Sequence, residues 1–309
     1  MNPPSRAVSG AELEPPQSAP APTPHPRPFY WSVRRELWEN RYLYIAPLGA
    51  AAVVLAGFLV NAFYAARGNA TAVALQMPGG AGPIDKPYAI AAILITVTGL
   101  LTAVMYCLDA LQGERRDRSI LFWKSLPVSD LTAVLSKAAI PLAVVPLFVF
   151  SLIVATHVSM LFLNMCVRLA GGTGAALRAP SALFELWIAL LYGETAIALW
   201  LAPVYGWLLL VSAWARRAAL LWAALPLLAA CILEKIAFNT RHFEFFLEYR
   251  FLGWFQAAFA SGRPCCLPHP LATVFPAQFL STPGLWTGLA LAALFLAGAA
   301  RLRRSRGPI

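Results

Sequence analysis

Uncharged apolar runs alternate with charged clusters along this chain. Residues 42–66, 87–108 and 138–167 carry no charge at all. A helix needs about 20 apolar residues to cross a bilayer core. Six segments meet that length, near 44–64, 88–108, 138–164, 183–212, 218–238 and 280–300. Pro141 and Pro146 predict kinks in the third. The fourth carries Glu185, Glu194 and Pro203, and the fifth holds Pro226 and ends near Glu234-Lys235. Two more segments are too charged to span. In 29–43, FYWSVRRELWENRYL, Tyr30, Val33, Leu37 and Trp38 recur on one helical face, with Arg34, Arg35, Glu36 and Glu39 largely elsewhere. That pattern suits an amphipathic helix in the headgroup layer, or a plain juxtamembrane anchor. Residues 240–260 are aromatic-rich but charged, which predicts an interfacial or re-entrant element before the last span.

Composition supports lipid as the solvent. Of 309 residues, 59% are apolar and 12% charged, against about 45–50% and about 25% in soluble domains. The net charge of +10 is distributed in clusters between apolar runs. A nucleic-acid binder would gather it on one face, so no nucleic-acid partner is expected. Residues 1–28 hold nine prolines and no apolar stretch, and read as a disordered cytoplasmic tail without a cleavable signal. Six spans put both termini on one side. With both in the cytoplasm, 16 of the 24 Lys and Arg residues lie inside and 8 outside, as the positive-inside rule requires.

The segment between the second and third apolar runs, DALQGERRDRSILFWKSLPVSD from Asp109 to Asp130, differs from a plain retention signal. Glu114 and Asp117 alternate with Arg115, Arg116 and Arg118, and an apolar cluster follows at Ile120, Leu121, Phe122, Trp123 and Leu126. Pro127 stops any helix begun near Asp117, and Ser129 and Asp130 are both N-cap candidates for the next one. Two readings stand side by side. The segment is a positive-inside anchor with interfacial aromatics, or it is a docking surface whose apolar knob enters a cleft on a cytosolic partner.

These residues resemble a known family. Glu114-Arg115-Arg116-Asp117-Arg118-Ser119, then Phe122-Trp123-Lys124-Ser125-Leu126-Pro127-Val128-Ser129-Asp130, then Lys137, is similar to the central loop of bacterial ABC-2 type transporter permeases. Ser212-Ala213-Trp214-Ala215-Arg216-Arg217, with Leu221-Trp222-Ala223 and Leu225-Pro226, resembles the same family, as does Glu234-Lys235. The resemblance covers 29–305 and implies an all-α, six-span permease domain of the bacterial inner membrane. It implies a homodimer or heterodimer with a second permease around an export path. A separate ATPase subunit would carry ATP and Mg and push on the coupling helix in the central loop. Glu114, Arg115, Arg116, Asp117, Arg118, Phe122, Trp123 and Lys124 would form that contact.

The chain itself lacks a P-loop. Lys86, Lys124, Lys137 and Lys235 follow Asp, Trp, Ser and Glu, not the glycine that lets backbone N–H groups cradle phosphate. No enzyme activity or cofactor is expected on it. Glu194 is the deepest acid, and His157 also lies within a span. Each is either a polar contact between helices or a group on the transport path. Cys265-Cys266 with His269 supplies two thiols and one imidazole but no clear fourth ligand, so no metal site is expected. Two other functions compete with the exporter. A membrane assembly protein would explain the interfacial helices but not the central loop. A lipid-modifying enzyme would need clustered His, Asp or Glu, and the four histidines are scattered.

Overall fold

The structure, a computed structural model, describes residues 28–66, 86–117, 129–169, 180–259 and 274–305. The chain is an all-α membrane protein with six helices long and apolar enough to cross a bilayer. Ten helices are described, in the order α1 (Pro28–Glu39), α2 (Tyr42–Ala66), α3 (Lys86–Arg116), α4 (Asp130–Leu169), α5 (Pro180–Trp200), α6 (Ala202–Trp214), α7 (Ala219–Phe238), α8 (His242–Ala258), α9 (Pro276–Ser281) and α10 (Pro283–Ser305). In lipid a backbone N–H has no water to turn to, so a crossing segment must satisfy itself as a helix.

Each apolar run is helical, the fourth as two helices, and three of the expected bounds moved for identifiable reasons. The second span runs on to Arg116, so Glu114, Arg115 and Arg116 lie in its last turns rather than in a loop. Basic residues there suit the negative end of the helix dipole. The third starts at Asp130. Ser129 is its N-cap, with Oγ accepting from Thr132 N at 3.1 Å, which leaves the Asp130 carboxylate free for another partner. The kink expected at Pro141 and Pro146 is a π-helical turn over Ile140–Val144, where Val145 N reaches Ile140 O.

The expected fourth span, 183–212, is two helices meeting at Leu201. Pro203 has no N–H for the carbonyl of Leu199, and its ring crowds that carbonyl, so the path bends there. Leu201 N to Ile197 O (2.9 Å) and Tyr205 N to Leu201 O (3.0 Å) still carry the hydrogen bonding across the bend. The last span begins at Pro283 rather than 280, where the fixed φ of proline suits a first helical position.

The main core gathers α3, α4, α6 and the end of α10 around Tyr106, Val134, Ile140, Ile153, Leu209 and Ala299. Spans two and three approach closely at Gly99, where any Cβ would collide with Val149 Cγ2. By contrast α7 buries only Ala219 and Ala223, and its Leu, Ile and Phe side chains face outward as lipid demands.

The aromatic segment after α7 is the helix α8, held against α5, α7 and α9. Its N-terminus is capped from the preceding span. The Glu234 carboxylate accepts from His242 N at 2.7 Å, Phe243 N at 2.8 Å and Thr240 Oγ1 at 2.7 Å. Glu234 therefore does more than mark the end of a span.

Candidate functional site

Five elements converge at one end of the bundle on a buried ion network. Lys137 of α4 donates to Glu36 Oε1 of α1 at 2.7 Å and pairs with Glu114 Oε1 of α3 at 3.2 Å. Arg303 of α10 pairs with Glu114 Oε2 at 3.2 Å and with Asp130 Oδ1 at 3.3 Å. Tyr106 Oη donates to Glu36 Oε2 at 2.8 Å. The fifth element, α6, is tied in beside it. Arg115 Nη1 donates to Ala213 O at 2.9 Å, and Ser212 Oγ accepts from Leu111 N and Gln112 N at 3.1 and 3.0 Å.

The chemistry of this junction follows from burial. The side chains of Glu36, Glu114, Lys137 and Arg303 are each less than one-tenth exposed. Charges withdrawn from water add little net stability even when paired, but an unpaired one is heavily penalised. Such a network therefore favours one relative placement of its helices. Both ends of the central segment are held by it, through Glu114 on one side and Asp130 and Lys137 on the other.

The sequence-predicted contact residues divide here. Glu114 and Arg115 point inward and have partners inside the chain. Arg116 and Asp117 point outward, both two-thirds exposed, and pair with each other at 3.3 Å. Arg118, Phe122, Trp123 and Lys124 lie outside the described residues, as do residues 1–27, Cys265, Cys266 and His269.

The inward face of α1 also differs from the expected one. Val33, Glu36 and Leu37 turn to the core, while Tyr30, Trp31, Arg34 and Trp38 face out. The Arg34 guanidinium lies 5.3 Å from the Trp31 ring and 4.9 Å from the Trp38 ring. Helical spacing alone grouped Tyr30 and Trp38 with Val33 and Leu37. In the structure that face divides: Val33 and Leu37 turn inward beside Glu36, which Lys137 engages, and Tyr30 and Trp38 stay outside. Glu36, Asp130 and Arg303 were not predicted as site residues. For Glu36 the one available signal was an acid one position from the apolar Leu37 on a helix otherwise suited to the interface.

Inside the spans, Glu194 and His157 occupy separate places. Thr96 Oγ1 donates to Glu194 Oε1, joining spans two and four beside the π-helical turn at Pro141 and Val145. The same two side chains edge a cavity of about 290 Å³ between α3, α5 and the end of α8, walled by Ile93, Leu190, Trp254 and Phe259. Its lining is apolar apart from Glu194, Thr96 and Tyr88. A carboxyl group in such a wall can hold a hydrogen-bonding or cationic group on an otherwise apolar molecule.

His157 is fully buried, with Nε2 3.0 Å from Tyr88 O and Nδ1 accepting from Trp187 Nε1 at 3.2 Å. Both ring nitrogens are therefore engaged, as in a structural contact between helices. Glu194→Gln is expected to keep the Thr96 bond and leave the thermal midpoint in detergent near wild type. Glu194→Ala should cost about 1–3 kcal/mol by stranding the Thr96 hydroxyl. Equal midpoints for the two variants would show that the hydrogen bond contributes nothing.

Among the described residues, no group of three or more His, Cys, Asp or Glu is placed to hold a metal ion. No protein-family model matches the chain, and neither does any curated protein or solved structure compared with it.

Proposed function

We propose that this chain is the membrane-spanning permease subunit of an ATP-binding cassette exporter, of the ABC-2 type that its central segment resembles. In this reading it lies in the bacterial inner membrane with both termini in the cytoplasm, paired with a second permease. A separate subunit binds ATP and Mg. The observation that carries the reading is the ion network, which clamps both ends of the central segment to α1 and α10. A push on residues 117–129 would reach spans two, three and six together through Glu114, Lys137 and Arg303. Arg115 and Ser212 would pass it to α6. Of the predicted contact residues that are described, Arg116 and Asp117 are the pair left at the surface to meet a partner. The cavity at Glu194 supplies a polar group on a path between spans two and four.

The test is purification of the tagged chain from its native membrane in mild detergent. The expected result is co-purification of a P-loop protein and ATP hydrolysis by the complex. A chain that purifies alone and without ATPase activity would overturn the reading and favour the assembly protein instead.

A further inference from the structure

Glu194 on α5 is a buried acid that the ion network does not use. It is 6% exposed, and no cation of the described residues pairs with it. Oε1 takes the Thr96 hydroxyl, and Oε2 takes no hydrogen bond from the described residues. Oε2 is not sealed in, however. Among the described residues, the fully enclosed side-chain atoms without a partner belong to Arg250 and Arg303, which leaves Oε2 open to a neighbouring space. On one side Glu194 edges a void of about 10 Å³ beside Pro141, room for one water at most. On the other it edges the cavity of about 290 Å³ between α3, α5 and the end of α8. A carboxylate facing such a space without a counter-charge carries a desolvation cost that a bound cation relieves.

The rest of the cavity favours a cation as well. Trp254, Phe255 and Phe259 form one aromatic wall, with ring centroids 5.3, 5.7 and 6.5 Å apart. The face of an aromatic ring is its negative region and attracts ammonium groups. Among the described residues, Glu194 is the only charged one in the lining, so nothing there repels a cation and nothing there meets a phosphate. Ile93 and Val97 line the cavity and are also exposed on the outer surface of α3, so it opens sideways. We propose that this cavity binds an amphiphilic amine, a molecule with one ammonium group on an otherwise apolar, aromatic body. The ammonium donates to Oε2 of Glu194, and the body lies against the Trp254 wall. That such a molecule is the exported substrate rests on the exporter reading; the binding itself does not. An amine-bearing phospholipid would bring a phosphate that no basic residue of the lining meets, which favours a free amine.

The experiment uses the full chain in detergent, with tritiated phenylbutylamine as the probe and phenylbutanol as its uncharged counterpart. Amine binding is read by scintillation proximity, and the alcohol is read by competition. Wild type is expected to bind the amine saturably and about ten-fold more tightly than the alcohol, the factor expected for one charge-assisted bond. Glu194→Gln, which keeps the Thr96 bond, should lose that preference and bind both alike. Ile93→Trp, at the mouth, should weaken both ligands and keep the preference. Equal affinity of wild type for amine and alcohol would overturn the proposal, as would an undiminished preference in Glu194→Gln. Unchanged affinity in Ile93→Trp would place the amine outside the cavity and overturn it too. Displacement of the amine by phosphatidylethanolamine at matched concentration would overturn it in favour of a lipid headgroup. Transport is read separately, as ATP-driven movement of the amine in native membrane vesicles. Selective binding without such movement would leave the site standing and count against the exporter reading. A chain that co-purifies with an active ATPase but binds no amine would overturn the substrate class alone.

Discussion

Lys137→Met is expected to cost about 3–5 kcal/mol of stability, the penalty for leaving a buried charge without its partner. Lys137 stands between two carboxylates, 2.7 Å from Glu36 and 3.2 Å from Glu114, and its own side chain is only 3% exposed. Methionine fills a similar volume but brings no charge, so both acids would remain buried with one cation fewer. Arg303 still pairs with Glu114, so the heavier loss falls on Glu36, which keeps the Tyr106 hydroxyl. The double variant Lys137→Met with Glu36→Gln should therefore recover much of the loss, because an amide can still accept from Tyr106. Thermal unfolding of the purified variants, together with the monodisperse fraction on gel filtration, measures both effects. A Lys137→Met protein within about 1 kcal/mol of wild type would mean the network is already open to water, where such pairs are worth no more than that.

Arg116→Glu should give the opposite pattern: a stable protein with lost function. Arg116 is two-thirds exposed, and among the described residues its ion pair is with its neighbour Asp117 at 3.3 Å. Exposed pairs contribute about 0–1 kcal/mol, so the thermal midpoint should hardly move. At a docking surface, reversal of one charge in a close pair costs about 2 kcal/mol or more, which corresponds to more than ten-fold in affinity. Under the exporter reading, the variant should lose ATPase binding and ATP-driven transport by at least that factor, as should Trp123→Ala. Co-purification and transport in membrane vesicles read the two losses separately. Wild-type transport in both variants would remove the central segment from the coupling path. Lys137 and Arg116, though both drawn from the same charged stretch of sequence, thus separate folding from function.

Much of the architecture was legible because hydropathy is a local property. Runs such as 42–66 have only one way to satisfy their backbone in lipid, so six spans could be counted before any packing was known. The cap at Ser129 and the irregular turn near Pro141 follow from neighbouring residues in the same way. Pairings across the bundle were not legible. Glu36 and Lys137 are 101 positions apart, and Glu114 and Arg303 are 189 apart. No spacing rule connects residues at those separations.

By itself, then, the sequence determined a helical membrane protein with six segments long enough to span, a charged, aromatic helix before the first of them, a charged segment between spans two and three, and no P-loop lysine. Tertiary structure alone decided which charges of that segment turn inward. Glu114 and Arg115 are held by Lys137, Arg303 and the carbonyl groups at the end of α6, while Arg116 and Asp117 stay in the open. The reason is physical: neighbours in sequence set whether a stretch can be a helix in lipid. Whether a charge on that helix can be buried depends on an opposite charge brought to it by another helix, and only packing supplies one.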